Sequence, residues 1–68
     1  MYCEWNGRFV NVRATNGRLI RKFSMSRGDV QCATVSGPEP DKGDGVVSIT
    51  LTNGKTEVYA TSGRLIRR

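Results

Sequence analysis

The fold is decided by a stretch that occurs twice, first as Val12-Arg13-Ala14-Thr15-Asn16-Gly17-Arg18-Leu19-Ile20-Arg21-Lys22 and 46 residues later as Val58-Tyr59-Ala60-Thr61-Ser62-Gly63-Arg64-Leu65-Ile66-Arg67-Arg68. Eight of the eleven positions are identical. Each copy has Asn-Gly or Ser-Gly at its centre, between short runs that carry β-branched residues. Asn-Gly between such runs is the strongest short-range hairpin signal, because a type I′ turn needs positive φ at both central residues. Both copies are therefore predicted to be β-hairpins with two-residue turns.

The same turn signal punctuates the rest of the chain, at Asn6-Gly7 and at Asn53-Gly54. The segments between the turns are four to eight residues long and rich in β-branched and aromatic residues, and no helical periodicity is present. Residues 37–45 contain two prolines and three glycines and are predicted to be an exposed loop. The predicted strands are Tyr2–Trp5, Arg8–Ala14, Arg18–Ser24, Asp29–Ser36, Gly45–Thr52, Lys55–Thr61 and Arg64–Arg68.

The predicted fold is all-β, with six to seven short antiparallel strands in a single small domain over residues 1–68. Residues 6–22 and 53–68 form an internal repeat, so the strands are expected to make two similar three-stranded meanders. We expect the meanders to close on each other as a small barrel or sandwich. A larger ring built from several chains is the alternative. A chain of 68 residues buries only about 60% of its unfolded surface, so oligomerisation is a further expectation.

The turns set the register, and the register assigns the faces, because residues that flank a two-residue turn point the same way. One face is predicted to be apolar and buried, formed by Cys3, Trp5, Val10, Val12, Ala14, Leu19 and Phe23 with Val47, Ile49, Leu51, Val58, Ala60 and Leu65. The opposite face collects basic residues together with Phe9, Ile20, Tyr59 and Ile66. Arg21 and Arg67 break the pattern, since they count onto the apolar face. Both arginines are predicted to lie at the rim of the barrel near water or beside a β-bulge that shifts the register. The alternative is that they pair with carboxylates or bind an anion.

The charge is strongly basic, with 11 Lys and Arg against 6 Asp and Glu, or +5 overall. Residues 37–45 hold three acids and one base, or −2, so the remainder carries +7. A basic sheet face suits an anionic polymer, and the first hypothesis is a module that binds the phosphate backbone of nucleic acid. The predicted contacts are Arg13, Arg18, Lys22, Lys55, Arg64 and Arg68, with Tyr59 as a base-stacking side chain.

The alternative hypothesis is a protein-interaction or assembly module, either a homo-oligomer or a binder of an acidic protein. Its contact patch would be formed by Phe9, Ile20, Tyr59 and Ile66. Charged residues on a small β protein also serve solubility alone, which is the third interpretation. The sequence is therefore compatible with nucleic-acid binding, with protein interaction and with a basic surface that serves solubility.

Chemistry beyond binding is not expected. The chain has no histidine, and Cys3 and Cys32 are too few and too far apart for a structural zinc site. We therefore predict no metal, no cofactor and no enzymatic activity. Two buried free thiols are expected, with an intramolecular or intermolecular disulfide as the alternatives. No apolar run is long enough to span a membrane and no signal peptide is recognised, so a cytoplasmic protein without membrane contacts is the expectation.

Overall fold

Seven short strands account for most of the chain, and the all-β prediction is confirmed. The computed structural model describes residues 1–38 and 42–68. Each strand end lies within one residue of its predicted position. The strands are β1 (Tyr2–Asn6), β2 (Phe9–Arg13), β3 (Leu19–Ser24), β4 (Val30–Ser36), β5 (Val46–Leu51), β6 (Thr56–Ala60) and β7 (Leu65–Arg67).

The strands form two antiparallel sheets. The first sheet has the order β1-β2-β3, and the second has the order β4-β5-β6-β7. The second meander therefore has four strands where the sequence predicted three, because β4 pairs with β5 along its whole length. No hydrogen-bonded ladder joins the two sheets among the described strands, so a closed barrel is not formed by them.

The connection from β3 to β4 crosses the end of the first sheet. The Met25 N–H donates to the Arg8 carbonyl and the Val30 N–H donates to the Gly7 carbonyl, both at 2.8 Å. These bonds fix the start of β4 beside the β1–β2 turn. The outermost strands, each paired on one side only, are β1 and β3 in the first sheet and β4 and β7 in the second.

The core lies between the two sheets and draws on both. Val10 and Val12 of β2 and Val47, Ile49 and Leu51 of β5 are completely buried. The remaining members of this single cluster are Phe23, Met25, Val30 and Ala33. The predicted burial of alternate residues is thus confirmed for β2 and β5, in which the alternation is strict.

Three hairpin turns differ from the predicted type I′ geometry. In each turn, the N–H of the residue before the loop donates a hydrogen bond of 2.8 Å to the carbonyl of the residue four positions later. The three donor and acceptor pairs are Ala14 and Arg18, Leu51 and Lys55, and Ala60 and Arg64. The only described residues with positive φ are glycines, including Gly17, Gly54 and Gly63. These are three-residue loops, a type I turn followed by a left-handed glycine, and the two-residue prediction is wrong.

The asparagine side chain explains why the longer loop forms. Asn16 Oδ1 accepts a hydrogen bond from the Arg18 N–H, and Asn53 Oδ1 accepts one from the Lys55 N–H, both at 3.0 Å. An asparagine that bonds its own backbone two residues on makes an Asx turn. It does so with negative φ, so only the following glycine needs the left-handed region.

The extra loop residue inverts the faces of β6. Cross-strand partners point to the same side of a sheet, and Tyr59 pairs with Val47 while Glu57 pairs with Ile49. Tyr59 and Glu57 therefore face the core, and Glu57 is only 3% exposed. Both were predicted on the outer face, and Val58 was predicted inside but points outward. A one-residue change of register reverses every side chain that follows it.

In β3 a bulge corrects this inversion. The ladder between β2 and β3 shifts by one residue, so Leu19 pairs with Arg13 while Arg21 pairs with Val12. Leu19 is consequently exposed, against prediction, whereas Phe23 returns to the core. The equivalent shift occurs between β6 and β7. The bulge predicted from Arg21 and Arg67 is confirmed at both places, and both arginines are exposed.

The exposure of Trp5, Leu65 and Gly45 also differs from the prediction. Trp5 and Leu65 lie on outermost strands of their sheets and are exposed rather than buried. Residues 39–41 of the predicted loop lie outside the described residues. At the end of that loop Gly45 is buried, since its N–H donates to Thr61 Oγ1 at 3.0 Å and its carbonyl accepts the Thr61 N–H at 3.1 Å.

The cysteines are both free thiols, but only one is sheltered. Cys3 is half-buried against the core and Cys32 is exposed, so the prediction of two buried thiols is wrong for Cys32. Burial raises the pKa of the Cys3 thiol, ahead of the opposing effect of the N-terminal ammonium. Within residues 1–38 and 42–68, no helical segment has the length and apolar character needed to cross a bilayer.

Candidate functional site

The predicted basic face does not extend over both sheets. On the outer side of the second sheet, Ser48 lies between Thr34 and Val58, and Thr50 lies between Cys32 and Thr56. Of the cations in the described strands, only Arg67 joins this hydroxyl-rich surface, through its pairing with Val58. The inversion of β6 and the longer turns removed the other basic residues from it.

Three of the predicted phosphate contacts do not lie on the edge strands β3 and β7 or beside β7. The Arg13 Nε donates to Glu4 Oε1 at 2.5 Å and its Nη1 donates to the Gly17 carbonyl at 3.0 Å, so this guanidinium is already held by the protein. Arg18 lies in the β2–β3 turn. Lys55 follows the β5–β6 turn, at the opposite end of β6 from Arg64.

The other predicted cations lie on or beside two of the edge strands, β3 and β7, as do two arginines that were not predicted as site residues. We call this group the basic edge: Arg21 and Lys22 of β3, Arg64, Arg67 and Arg68 of β7 and its flanks. All five residues are exposed. In the described part of the chain, no Asp or Glu carboxylate lies within ion-pairing distance of any of them, whereas Arg8 is 3.6 Å from Asp29 and Arg13 is paired with Glu4.

Arg21 joins the two edge strands. Its guanidinium lies directly against Gly63 in the β6–β7 turn, so closely that a Cβ atom at Gly63 would collide with it. Glycine at this position therefore serves two purposes: it supplies the left-handed backbone of the turn and it leaves room for the guanidinium. The side chain from the first sheet is thereby placed next to Arg64 of the second.

Beneath the basic edge lies a polar pair that faces the core. The Tyr59 ring packs against Phe23 with 4.9 Å between ring centroids, and its hydroxyl donates to Glu57 Oε1. Burial raises the pKa of Tyr59 above its usual value of about 10, and the hydrogen bond to Glu57 and the charge of Glu57 add to that effect. The Arg68 guanidinium acts in the opposite direction. Tyr59 thus faces the core and is half-buried, whereas it was predicted on the outer stacking surface.

The raised pKa of Tyr59 gives a testable dependence of stability on pH. Because the folded state holds this phenolic proton more tightly than the unfolded state, the contribution is present below about pH 10 and is lost as pH rises through the folded-state pKa. We expect the free energy of unfolding, measured by urea denaturation, to fall above pH 10 and to fall less in a Tyr59→Phe variant. Equal alkaline losses in the two proteins would contradict this assignment.

A second exposed feature adjoins the basic edge on the outer side of the first sheet. We call it the aromatic face: Tyr2, Phe9, Asn11 and Lys22. Phe9 and Tyr2 are 47% and 43% exposed. Asn11 pairs with Lys22, and the Lys22 ammonium lies 4.6 Å from the centre of the Phe9 ring. Lys22 therefore belongs to both features and connects them.

Sequence reasoning left Arg21, Arg67 and the aromatic face out of the predicted site. The signal for the arginines was present, since both violate the period-two pattern at equivalent repeat positions and anion binding was one of the alternatives. Phe9 was assigned to an assembly patch with Ile20 and Tyr59. That patch is not formed, because Ile20 and Tyr59 pack against the core while Phe9 and Ile66 remain exposed.

Comparison with known proteins gives no family assignment: no family model matches the chain, and no curated protein or solved structure is significantly similar to it.

Proposed function

We propose that this chain binds nucleic acid and that the basic edge holds the phosphate backbone. The observation that supports the proposal is a set of five exposed cations on the edge strands β3 and β7 and their flanks, linked where the Arg21 guanidinium lies against Gly63 and without a carboxylate partner among the described residues. In this proposal Lys22, Arg64 and Arg68 keep their predicted role and Arg21 and Arg67 join them. Arg13, Arg18 and Lys55 contribute through the long-range field of the positively charged chain.

The residue types of the basic edge suit phosphate. Four of the five are arginines, whose planar fork of N–H donors bonds two phosphate oxygens at once. The two sheets would act as an open sandwich, with its open side between β3 and β7 facing the ligand. Binding would release the counterions condensed on the nucleic acid, so the logarithm of affinity should fall linearly with the logarithm of salt concentration.

The test compares cations of the basic edge with one that is already paired. We expect the triple variant Arg21→Gln, Arg64→Gln and Arg67→Gln to lose about tenfold or more in affinity for a labelled oligonucleotide at about 50 mM salt. Its slope of log affinity against log salt should be smaller by about 2, since each lost phosphate contact removes about 0.7 with a single strand. Fluorescence anisotropy measures both quantities.

The matched control is Arg8→Gln, which removes an exposed arginine that lies 3.6 Å from Asp29 at the β1–β2 turn. It should leave the slope nearly unchanged. Absence of any binding at low salt, or a loss in the Arg8 variant as large as that of an edge substitution, would rule out the proposal. Circular dichroism of each variant establishes that the exposed substitutions leave the fold intact.

A second candidate function, strand addition by an acidic protein segment, is favoured by β7. Leu65 and Ile66 are 41% and 46% exposed, and the outer side of β7 carries no strand. An extended peptide can pair with such an edge. Pairing of two copies through β7 would bring Arg64 and Arg67 of each copy together, which disfavours a homodimer.

Light scattering coupled to size exclusion separates this function from the first. A nucleic-acid-binding monomer should retain the mass of one chain at all concentrations. A strand-addition module should shift in mass with an acidic extended peptide, and that shift should persist when the oligonucleotide is absent.

A further inference from the structure

The aromatic face offers what the basic edge lacks, a surface for unpaired bases. Building on the proposed function, we infer that Phe9 is a base-stacking platform and that the preferred ligand is a single strand, not a duplex. Lys22 is the structural link, because it lies in the edge strand β3 and its ammonium covers the Phe9 ring at 4.6 Å. A strand whose phosphates follow β3 would pass its bases over this ring.

The surroundings of Phe9 leave its ring accessible. Its cross-strand partners are Asn6 and Ser24, which are small and polar, and the residue is 47% exposed. Phe9 makes no contribution to the core cluster. The ring is therefore not held inside the fold, and its one described ring contact is the Lys22 ammonium. An exposed aromatic ring with a cation beside it can bind a single strand, because every base has a face that can stack.

The Lys22 ammonium over Phe9 suggests how the platform works. In the free protein the cation covers the negative face of the ring. A base that stacks on Phe9 would replace the ammonium there, and the flexible lysine side chain would turn to a neighbouring phosphate. Asn11, directly opposite Lys22 in the ladder, presents an amide beside the same position. Duplex DNA cannot use this arrangement, since its bases are stacked on each other and the ring cannot reach a free face.

The experiment uses a labelled oligothymidylate of about 15 nucleotides and a duplex of the same length. The Phe9→Leu variant removes the aromatic face but keeps an apolar side chain and the charge. We expect it to lose about tenfold in affinity for the single strand, with little change for the duplex and an unchanged salt slope. Phe9→Tyr should restore single-strand binding because the ring is retained.

The matched control is Leu19→Ala, which alters a side chain of the same 47% exposure on the same side of the first sheet but without a ring. It should bind like the unmodified protein. Equal affinity for the single strand and the duplex, or unchanged binding by Phe9→Leu, would overturn the stacking role. The proposed function would be unaffected by that result, because it is tested by the salt dependence of the basic-edge variants. If neither nucleic acid binds, the proposed function and this inference fall together.

Discussion

Truncation of Ile49 to alanine is expected to lower the free energy of unfolding by about 2–4 kcal/mol, because it leaves a cavity in the middle of a thin core. Ile49 is completely buried, at the centre of β5, between Ala33 of β4 and Glu57 of β6. A folded domain has about 0.05–0.15 kcal/mol of stability per residue, so this chain has roughly 3–10 kcal/mol in total. One substitution should therefore remove a large part of it.

The control for this prediction is Ile66→Ala in β7, where the same side chain is 46% exposed. It should change stability by less than about 0.5 kcal/mol. Urea denaturation followed by far-ultraviolet circular dichroism measures both, and an unchanged slope with urea would show that only stability has altered. Similar losses at the two isoleucines would mean that the core does not lie between the sheets as described.

The strand positions could be predicted from the sequence because their signals are local. Turn residues such as Asn16 and Gly17 mark where a strand must stop, and alternating valines in β2 and β5 mark which side is buried. Val10, Val12, Val47 and Ile49 accordingly lie where the period-two pattern predicted. None of these inferences depends on knowing the partner strand.

The orientation of β6 could not be predicted, because it depends on a single residue in the preceding turn. Asn53-Gly54 is compatible with a two-residue loop or with a three-residue loop, and the choice reverses the following strand. The Asx bond from the Lys55 N–H to Asn53 selects the longer loop. The longer loop turns Tyr59 and Glu57 toward the core, away from the outer face on which both were predicted.

The candidate site was predicted in composition but not in position. The excess of arginine near both repeats was evident, and Lys22, Arg64 and Arg68 lie on or beside the edge strands β3 and β7. What joins them is Arg21, whose guanidinium rests on Gly63 of the other sheet. That contact spans 42 residues of sequence, and no local pattern reports it.

The second large effect is expected at Gly45, where alanine should lower the free energy of unfolding by about 2–3 kcal/mol. A Cβ atom there would lie 2.6 Å from the Ser36 carbonyl oxygen and 3.0 Å from Met1 Cε. The carbonyl is part of the backbone and cannot turn aside, so the entry to β5 must move away from the end of β4. The same movement would loosen the two hydrogen bonds between Gly45 and Thr61. Gly45 does not have positive φ, so the predicted cost is steric alone.

The informative control is Gly54→Ala, which separates crowding from backbone strain. Gly54 has φ +88°, and no atom lies within 4 Å of the place that a Cβ would occupy, so alanine there costs only the strain of a left-handed backbone, about 1 kcal/mol. If crowding at the base of the loop holds the β4–β5 entry together, Gly45→Ala must be the more destabilising of the two in urea denaturation. A larger loss of stability in Gly54→Ala than in Gly45→Ala would show that Gly45 and the Ser36 carbonyl are not as close as described. It would also show that the hydrogen bonds between Gly45 and Thr61 do not position the turn that carries Arg64.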